Sequence, residues 1–175
     1  MNTHELWTVA HGMGFGFLFL LGFAGALYGI YMMKPEWITT EGTNINVRNI
    51  RIFLWVLAAA VWLAVFSGAF IVYPWYRAAV PAGITDLTNY PKFLLLANPS
   101  IAFWHNFGME WKEHIAFVVP FAATMVAFMA QYYGAELTKK PEVRRYVMIF
   151  FSIAFAAAAV AGVLGAFITK AAAVH

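Results

Sequence analysis

Four long apolar stretches constrain this chain more than any other feature of its sequence. They lie at about 6–33, 50–75, 114–133 and 147–169, and each has the roughly 20 residues that an α-helix needs to cross about 30 Å of hydrocarbon. Inside hydrocarbon every backbone N–H and C=O must be paired within the protein, which leaves helices or closed barrels. Apolar runs without two-residue alternation favour helices. The sequence therefore predicts an all-α integral membrane protein with four transmembrane helices in an antiparallel bundle.

The composition agrees with this fold class. Hydrophobic residues make up 63% of the 175 residues and charged residues only 11%, which is more apolar surface than one soluble core of this size could bury. The formal net charge of +3 is small, and no basic stripe indicates a nucleic-acid partner. Cysteine is absent, which excludes disulfides and thiolate metal sites within the chain. We expect a single domain over residues 1–175.

Lys and Arg are distributed unevenly between the predicted loops. The connections between spans one and two and between spans three and four carry seven of them, against four on the other side. Because such residues are enriched in cytoplasmic loops, we predict a multi-pass protein of a bacterial inner membrane with both termini extracytoplasmic. The start of the chain carries no basic residue before the first apolar run, so we interpret that run as a retained span and not a cleaved signal peptide. The connection 77–113 then lies outside, and its stretch 101–113 predicts a helix in the membrane interface.

The chain has five histidines, all on the predicted outer side, and His11 is the most informative. It lies inside the first span, where a polar side chain is costly and usually faces a partner or a cavity. At 100° per residue it heads a stripe that contains Gly22, Gly25 and Gly29. Glycines allow a neighbouring helix or a flat ring to approach the backbone closely. For the same reason we include Gly14 among the candidate cofactor-binding residues.

His114 begins the third span at a depth comparable to that of His11. Two inward-facing imidazoles on different helices can supply both axial ligands of a haem iron. Glu110, one turn before His114, is positioned to hold its second ring nitrogen, and Arg77 could pair with the haem propionates. His105 is a weaker candidate ligand, because it lies about 180° from His114 on a helix. These residues predict one haem b near the outer face.

Four spans with histidines on separate helices resemble, in arrangement, the cytochrome b-type membrane anchors of respiratory dehydrogenases. The resemblance implies a haem b subunit of a larger electron-transfer complex. Such a subunit passes electrons between the quinone pool and a partner on the extracytoplasmic face, such as a c-type cytochrome or another redox subunit. The chain departs from two-haem members of this group, because no histidine lies near its predicted cytoplasmic side.

Other functions are compatible with the same residues. The glycine and alanine stripes equally fit a cofactor-free structural subunit. Outer histidines with Met13 and Met109 could bind copper or zinc, and a single histidine could ligate the magnesium of a chlorophyll. Glu110 and Glu113 could accept protons from a quinol, or they could be acids that favour a helix N-terminus. The interiors of the predicted spans contain no Asp, Glu, Lys or Arg, which argues against an ion-driven transporter.

Overall fold

The computed structural model describes residues 2–35 and 40–172, with only the backbone of 40–43. Over these residues the protein is helical and contains no strand. Four helices are long and apolar enough to cross a membrane: α1 (Thr3–Tyr31), α2 (Asn44–Tyr76), α4 (Trp104–Thr138) and α5 (Pro141–Ala171). A short helix, α3 (Pro91–Ala97), lies in the connection between α2 and α4. The predicted all-α membrane fold with four spans is confirmed.

The third long helix, α4, differs most from the prediction, which placed its start at 114. It begins with a π-helical segment, Trp104–Met109, and continues as α-helix over Glu110–Ile115 and Val118–Tyr133. A 3-10 turn, Gly134–Thr138, completes it. Most of the stretch that was predicted as a separate interfacial helix is therefore part of α4, where it packs against α5. Its depth relative to a membrane surface stays a prediction.

Each long helix contacts two others, so that α1, α2, α4 and α5 form a ring in this order. On α1, His11 lies against Gly68 of α2, while Gly29 lies against Ile50. From residue 11 to residue 29 of α1, the contacted residues of α2 run from 68 back to 50. The two helices therefore run in opposite directions. Aromatic contacts join α1 to α5, with the ring of Phe23 stacked on that of Phe155 at a centroid distance of 4.1 Å.

A single large apolar core fills the ring. It is composed of small and branched side chains together with two phenylalanines, which bury the facing sides of all four helices. Its most buried members include Phe19, Ala26, Ile30, Leu54, Leu57, Val126, Ala127, Phe151 and Ala154. A second, smaller cluster joins Leu95 of α3 to Tyr76 of α2 and Ile168 of α5. Large apolar side chains such as Leu21 and Phe121 are exposed on the outside of the ring, as expected of surfaces that face lipid.

Three of the long helices contain a π-helical segment at the same end of the bundle. The segments are Ala10–Gly16 in α1, Gly68–Val72 in α2 and Trp104–Met109 in α4. We call this the terminal end, because α1 begins and α5 ends there. π-helical turns are rare and occur frequently at functional sites. Because their hydrogen bonds join residues i and i+5, the 100° spacing of an α-helix does not hold through these segments.

At the opposite end of the bundle, arginine side chains cap the ends of helices. Arg51 of α2 donates from Nε and Nη2 to the carbonyls of Ala130 and Gln131, at 3.3 and 3.1 Å. Arg144 of α5 donates to the carbonyl of Met33 just after α1. The last carbonyls of a helix lack partners within it, and guanidinium groups are charged donors to such acceptors. The carbonyl of Ala130 also accepts from the N–H of Gly134, so there Arg51 adds a second donor.

Candidate functional site

His11 is held between α1 and α2 near the terminal end. Its Nδ1 lies 2.7 Å from the carbonyl oxygen of Ala64, and because a carbonyl only accepts, Nδ1 carries the proton and donates. The hydroxyl oxygen of Ser67 lies 3.5 Å from the same nitrogen. The ring packs on Gly68, where a methyl group would come within 2.6 Å of the ring carbon Cε1. The position of the imidazole therefore requires glycine at residue 68.

This hydrogen bond determines the chemistry of the other ring nitrogen. With the proton on Nδ1, Nε2 keeps its lone pair, and no hydrogen bond to Nε2 is present among the described residues. Histidines that ligate metals have the same arrangement, with one nitrogen donating to a carbonyl and the other coordinating. This arrangement leaves Nε2 of His11 able to coordinate a metal or to accept a hydrogen bond.

Lys112 of α4 reaches the same region, which the sequence analysis did not foresee. The residue is partly exposed. Nζ lies over Gly165 of α5, where a methyl group would come within 2.8 Å of it. We call the residues His11, Ser67, Gly68, Lys112 and Gly165, contributed by all four long helices, the inner site.

A second group of polar residues lies between α2 and the start of α4. The hydroxyl of Tyr76 is hydrogen-bonded to Nδ1 of His105 at 2.8 Å, and both side chains are buried. Arg77 donates to the hydroxyl of Tyr73, and its Nη1 lies 3.8 Å from Oε2 of Glu113. The other carboxylate oxygen of Glu113 is buried without a hydrogen-bond partner. We call these five residues the rim cluster.

The predicted second ligand, His114, is exposed. Its Nδ1 lies 2.7 Å from the backbone carbonyl of Glu110, so Glu110 orients the ring through its main chain and not through its carboxylate. In the α-helical segment that holds both residues, His114 lies about 200° around the axis from Lys112. Lys112 faces the bundle, so His114 faces away from it. No contact joins His11 to His114, and the structure does not bring these two predicted ligands together.

Two other predicted site residues have environments that differ from those expected. His105, the weaker candidate, is only 6% exposed, and its Nδ1 is hydrogen-bonded to the hydroxyl of Tyr76. Arg77, predicted to pair with haem propionates, is instead engaged by Tyr73 and Glu113. His105 is therefore not an open ligand position, and Arg77 is not an unpaired cation.

The glycine stripe below His11 is filled by side chains of α2. A methyl group on Gly22 would come within 2.5 Å of Leu57, and one on Gly29 within 2.1 Å of Ile50. These glycines therefore allow α1 and α2 to approach each other, and they leave no space for a flat ring. Gly14, in contrast, is exposed and has no atom within 4 Å of the position of a Cβ.

A haem site can be tested against these positions. The donor chemistry of His11 fits an axial ligand, and the open surface at Gly12 and Gly14 leaves room for a flat group beside it. His114 is exposed and faces away from the bundle, so of the two predicted ligands only His11 has its ring held between two helices. No group of three or more His, Cys, Asp or Glu side chains that could hold a metal ion is present in the described part of the chain.

The sequence contains a signal that would have identified Lys112. The buried stripe of α4 includes Val119, Ala123, Val126 and Ala130, whose spacing of three and four residues is typical of a packed helix face. Extended backwards by seven residues from Val119, the same stripe reaches Lys112. Predicting this required knowing that the helix continues before 114.

Comparison with protein-family models, curated proteins and solved structures gave no match.

Proposed function

We propose that the chain is a membrane subunit of an electron-transfer complex that binds a haem b at its terminal end, with His11 as an iron ligand. The proposal depends mainly on one observation, the hydrogen bond from Nδ1 of His11 to the carbonyl of Ala64, which leaves Nε2 available inside a membrane bundle. An ionisable side chain in a spanning helix is a candidate for function by default, and neutral imidazole is a common ligand of haem iron. A haem b, when bound, supplies one-electron transfer.

The neighbouring residues act on the orientation of the ligand. The carbonyl of Ala64 fixes the tautomer of His11, and Gly68 allows the ring to lie against α2. Because His114 faces away from the bundle, we propose that a partner subunit provides the second ligand, next to the open surface at Gly14. The exposed His114, whose Nδ1 is held by a carbonyl, is the alternative second ligand on this chain.

We further propose that the terminal end faces the extracytoplasmic side of a bacterial inner membrane. The uneven distribution of Lys and Arg supports this orientation. The partner would then be a c-type cytochrome or another extracytoplasmic redox subunit, and the quinone pool would be the other source or acceptor of electrons. Cysteine accessibility mapping tests the orientation, since the cysteine-free chain permits single cysteines near His4 and near Lys140. A membrane-impermeant reagent should label the first in intact spheroplasts and not the second.

A reduced-minus-oxidised absorption spectrum of the native complex tests the haem proposal. We expect the bands of a b-type cytochrome, lost in His11→Ala and kept in His4→Ala, a matched control on the exposed first turn of the same helix. Loss of the bands in His114→Ala would assign the second ligand to this chain, whereas their retention would assign it to the partner. A fully assembled native preparation without a Soret band would overturn the proposal.

A cofactor-free structural subunit is the second candidate function. The close fit of Leu57 and Ile50 into the glycines of α1 favours it, because this packing needs no cofactor. In that case His11 only joins two helices, and His11→Ala lowers stability without changing any spectrum. Metal analysis and far-red absorption of the same preparation test the copper, zinc and chlorophyll interpretations.

A further inference from the structure

A lateral groove lies on the outer surface of the ring, where α1 and α5 meet. It has a volume of about 580 Å³ and is lined by Leu27 of α1 and by six residues of α5 between Arg145 and Ala156. Those of α5 recur every three or four positions, so they form one face of that helix. The two smallest, Ser152 and Ala156, lie one turn apart and leave the depression between larger neighbours. Sites for small molecules commonly have volumes of about 300–1,000 Å³, so the groove is large enough to hold a ligand.

Arg145 places a positive charge at one end of this groove. It is exposed and forms no hydrogen bond or ion pair with any residue that the structure describes. The neighbouring Arg144, in contrast, donates to the carbonyls of Met33 and Leu137. A guanidinium group is always charged, and its donors match the geometry of a phosphate group. The groove therefore ends at a cation that the described part of the chain leaves available to an anion.

The groove has the length of one leaflet of a membrane. Arg145 is the last charged residue before the apolar part of α5, and the next one is Lys170, so Arg145 lies near one edge of the hydrocarbon when α5 crosses it. From Arg145 to Ala156 the helix rises about 16 Å, at about 1.5 Å per residue. This is close to half of the roughly 30 Å of hydrocarbon in a bilayer. An acyl chain of the leaflet at that end therefore has the length to fill the groove.

Positive charge predominates at the end of the protein where Arg145 lies. The segments 34–51 and 134–145 carry seven Lys and Arg and four Glu, which gives a net charge of +3 from seven minus four. Basic pockets between transmembrane helices bind the head groups of anionic lipids. A neutral lipid could cover the apolar part of the groove equally well, but it would bring no net negative charge to Arg145. The charge distribution therefore favours an anionic lipid as the occupant.

We propose that the groove between α1 and α5 binds an anionic phospholipid, with its phosphate group at Arg145 and one acyl chain along the groove. The guanidinium group donates hydrogen bonds to the phosphate oxygens. The acyl chain covers Leu27 and the apolar face of α5, over the small residues Ser152 and Ala156. This lipid site does not depend on the haem proposal, because none of its residues belongs to the inner site or to the rim cluster.

Native mass spectrometry of the full chain, purified in a neutral detergent, tests the proposal. The probes are dioleoyl phosphatidylglycerol and dioleoyl phosphatidylcholine, which have the same acyl chains and differ in net charge. We expect the wild type to bind one phosphatidylglycerol about fivefold more tightly than phosphatidylcholine, and Arg145→Gln to bind both equally. The matched control is Lys139→Gln, which removes one exposed cation at the same end but outside the groove. It should keep the preference of the wild type.

A second pair of variants tests the groove itself. Ser152→Phe fills its middle and should abolish the binding of both lipids, whereas Ser152→Ala keeps it open and should bind as the wild type does. Because residues 145 and 152 are exposed, all variants should unfold at the wild-type temperature when no lipid is added.

Three results would overturn the proposal of a lipid site. The first is equal binding of the two lipids by the wild type, and the second is an unchanged preference in Arg145→Gln, which would make Arg145 only an interfacial anchor of α5. The third is a dimer that Ser152→Phe abolishes, which would assign the groove to a second copy of the chain. A missing Soret band in the native complex, together with an intact preference for phosphatidylglycerol, would refute the haem proposal alone.

Discussion

The contact between His11 and Gly68 gives the sharpest test of the inner site, through Gly68→Ala. The added methyl group would lie 2.6 Å from Cε1 and 3.0 Å from Nδ1 of the ring. These are atoms of a rigid ring fixed by a hydrogen bond, so they cannot move aside as a flexible side-chain end would. We estimate about 2 kcal/mol for the overpacking and about 1 kcal/mol for the strained hydrogen bond. Alanine is about 1 kcal/mol more favourable than glycine in a helix. The free energy of unfolding should therefore fall by about 2 kcal/mol in total.

Unfolding of the purified protein in mixed micelles, titrated with a denaturing detergent, measures this loss. The matched control is Gly162→Ala, where the nearest atom is Leu20 Cδ1 at 3.8 Å. An ordinary contact at that distance should leave the stability unchanged or raise it by up to about 1 kcal/mol. Equal free energies of unfolding for Gly68→Ala and Gly162→Ala would show that the ring does not lie where the structure places it.

A double-mutant cycle separates this contact from general damage to α2. The single change His11→Ala should cost about 1 kcal/mol for the lost hydrogen bond. Without the ring the added methyl group has nothing to collide with, and Gly68→Ala only gains about 1 kcal/mol of helix propensity. The double variant should therefore cost roughly 0 kcal/mol, against about 3 kcal/mol for the sum of the single changes. The expected coupling is therefore about 3 kcal/mol. Additive effects would refute the reasoning, because residues in direct contact should couple.

Three further predictions concern hydrogen bonds between the helices. Arg51→Met should lower the free energy of unfolding by about 2 kcal/mol, because it leaves two helix-end carbonyls without their charged donor, whereas Arg48→Met, on the exposed side of the same helix, should have little effect. Tyr76→Phe should cost about 2 kcal/mol, since a buried ring nitrogen loses its partner; a similar loss in the exposed Tyr132→Phe would contradict this. Trp62→Phe removes an indole N–H that donates across to α4 at 2.9 Å and should cost about 0.6–1.7 kcal/mol. The same detergent titration measures all of them, and changes below about 0.3 kcal/mol at these three sites would be incompatible with the observed hydrogen bonds.

Parts of the candidate site follow from local sequence, and parts do not. His11 was identified because a polar residue in a long apolar run is costly wherever the helix packs. The role of Gly14 in binding a cofactor stays a prediction. His105 and His114 were ranked in the opposite order to their burial. Their predicted separation of about 180° agrees with one buried and one exposed ring, but the sequence did not show which of the two sides faces the bundle. The deep glycines, Gly22 and Gly29, were expected to leave space that side chains of α2 in fact fill.

The sequence by itself determined that the protein consists of four membrane-spanning helices. Apolar length and the need to pair every backbone group act within one segment, so no knowledge of the other helices was required. Only the tertiary structure decided which polar groups meet, because this depends on the rotation of each helix about its axis and on contacts between distant residues. Lys112 and Gly165 illustrate the difference. Each is unremarkable in its own segment, and the contact between them exists only because α4 starts early and turns that lysine towards a glycine on α5.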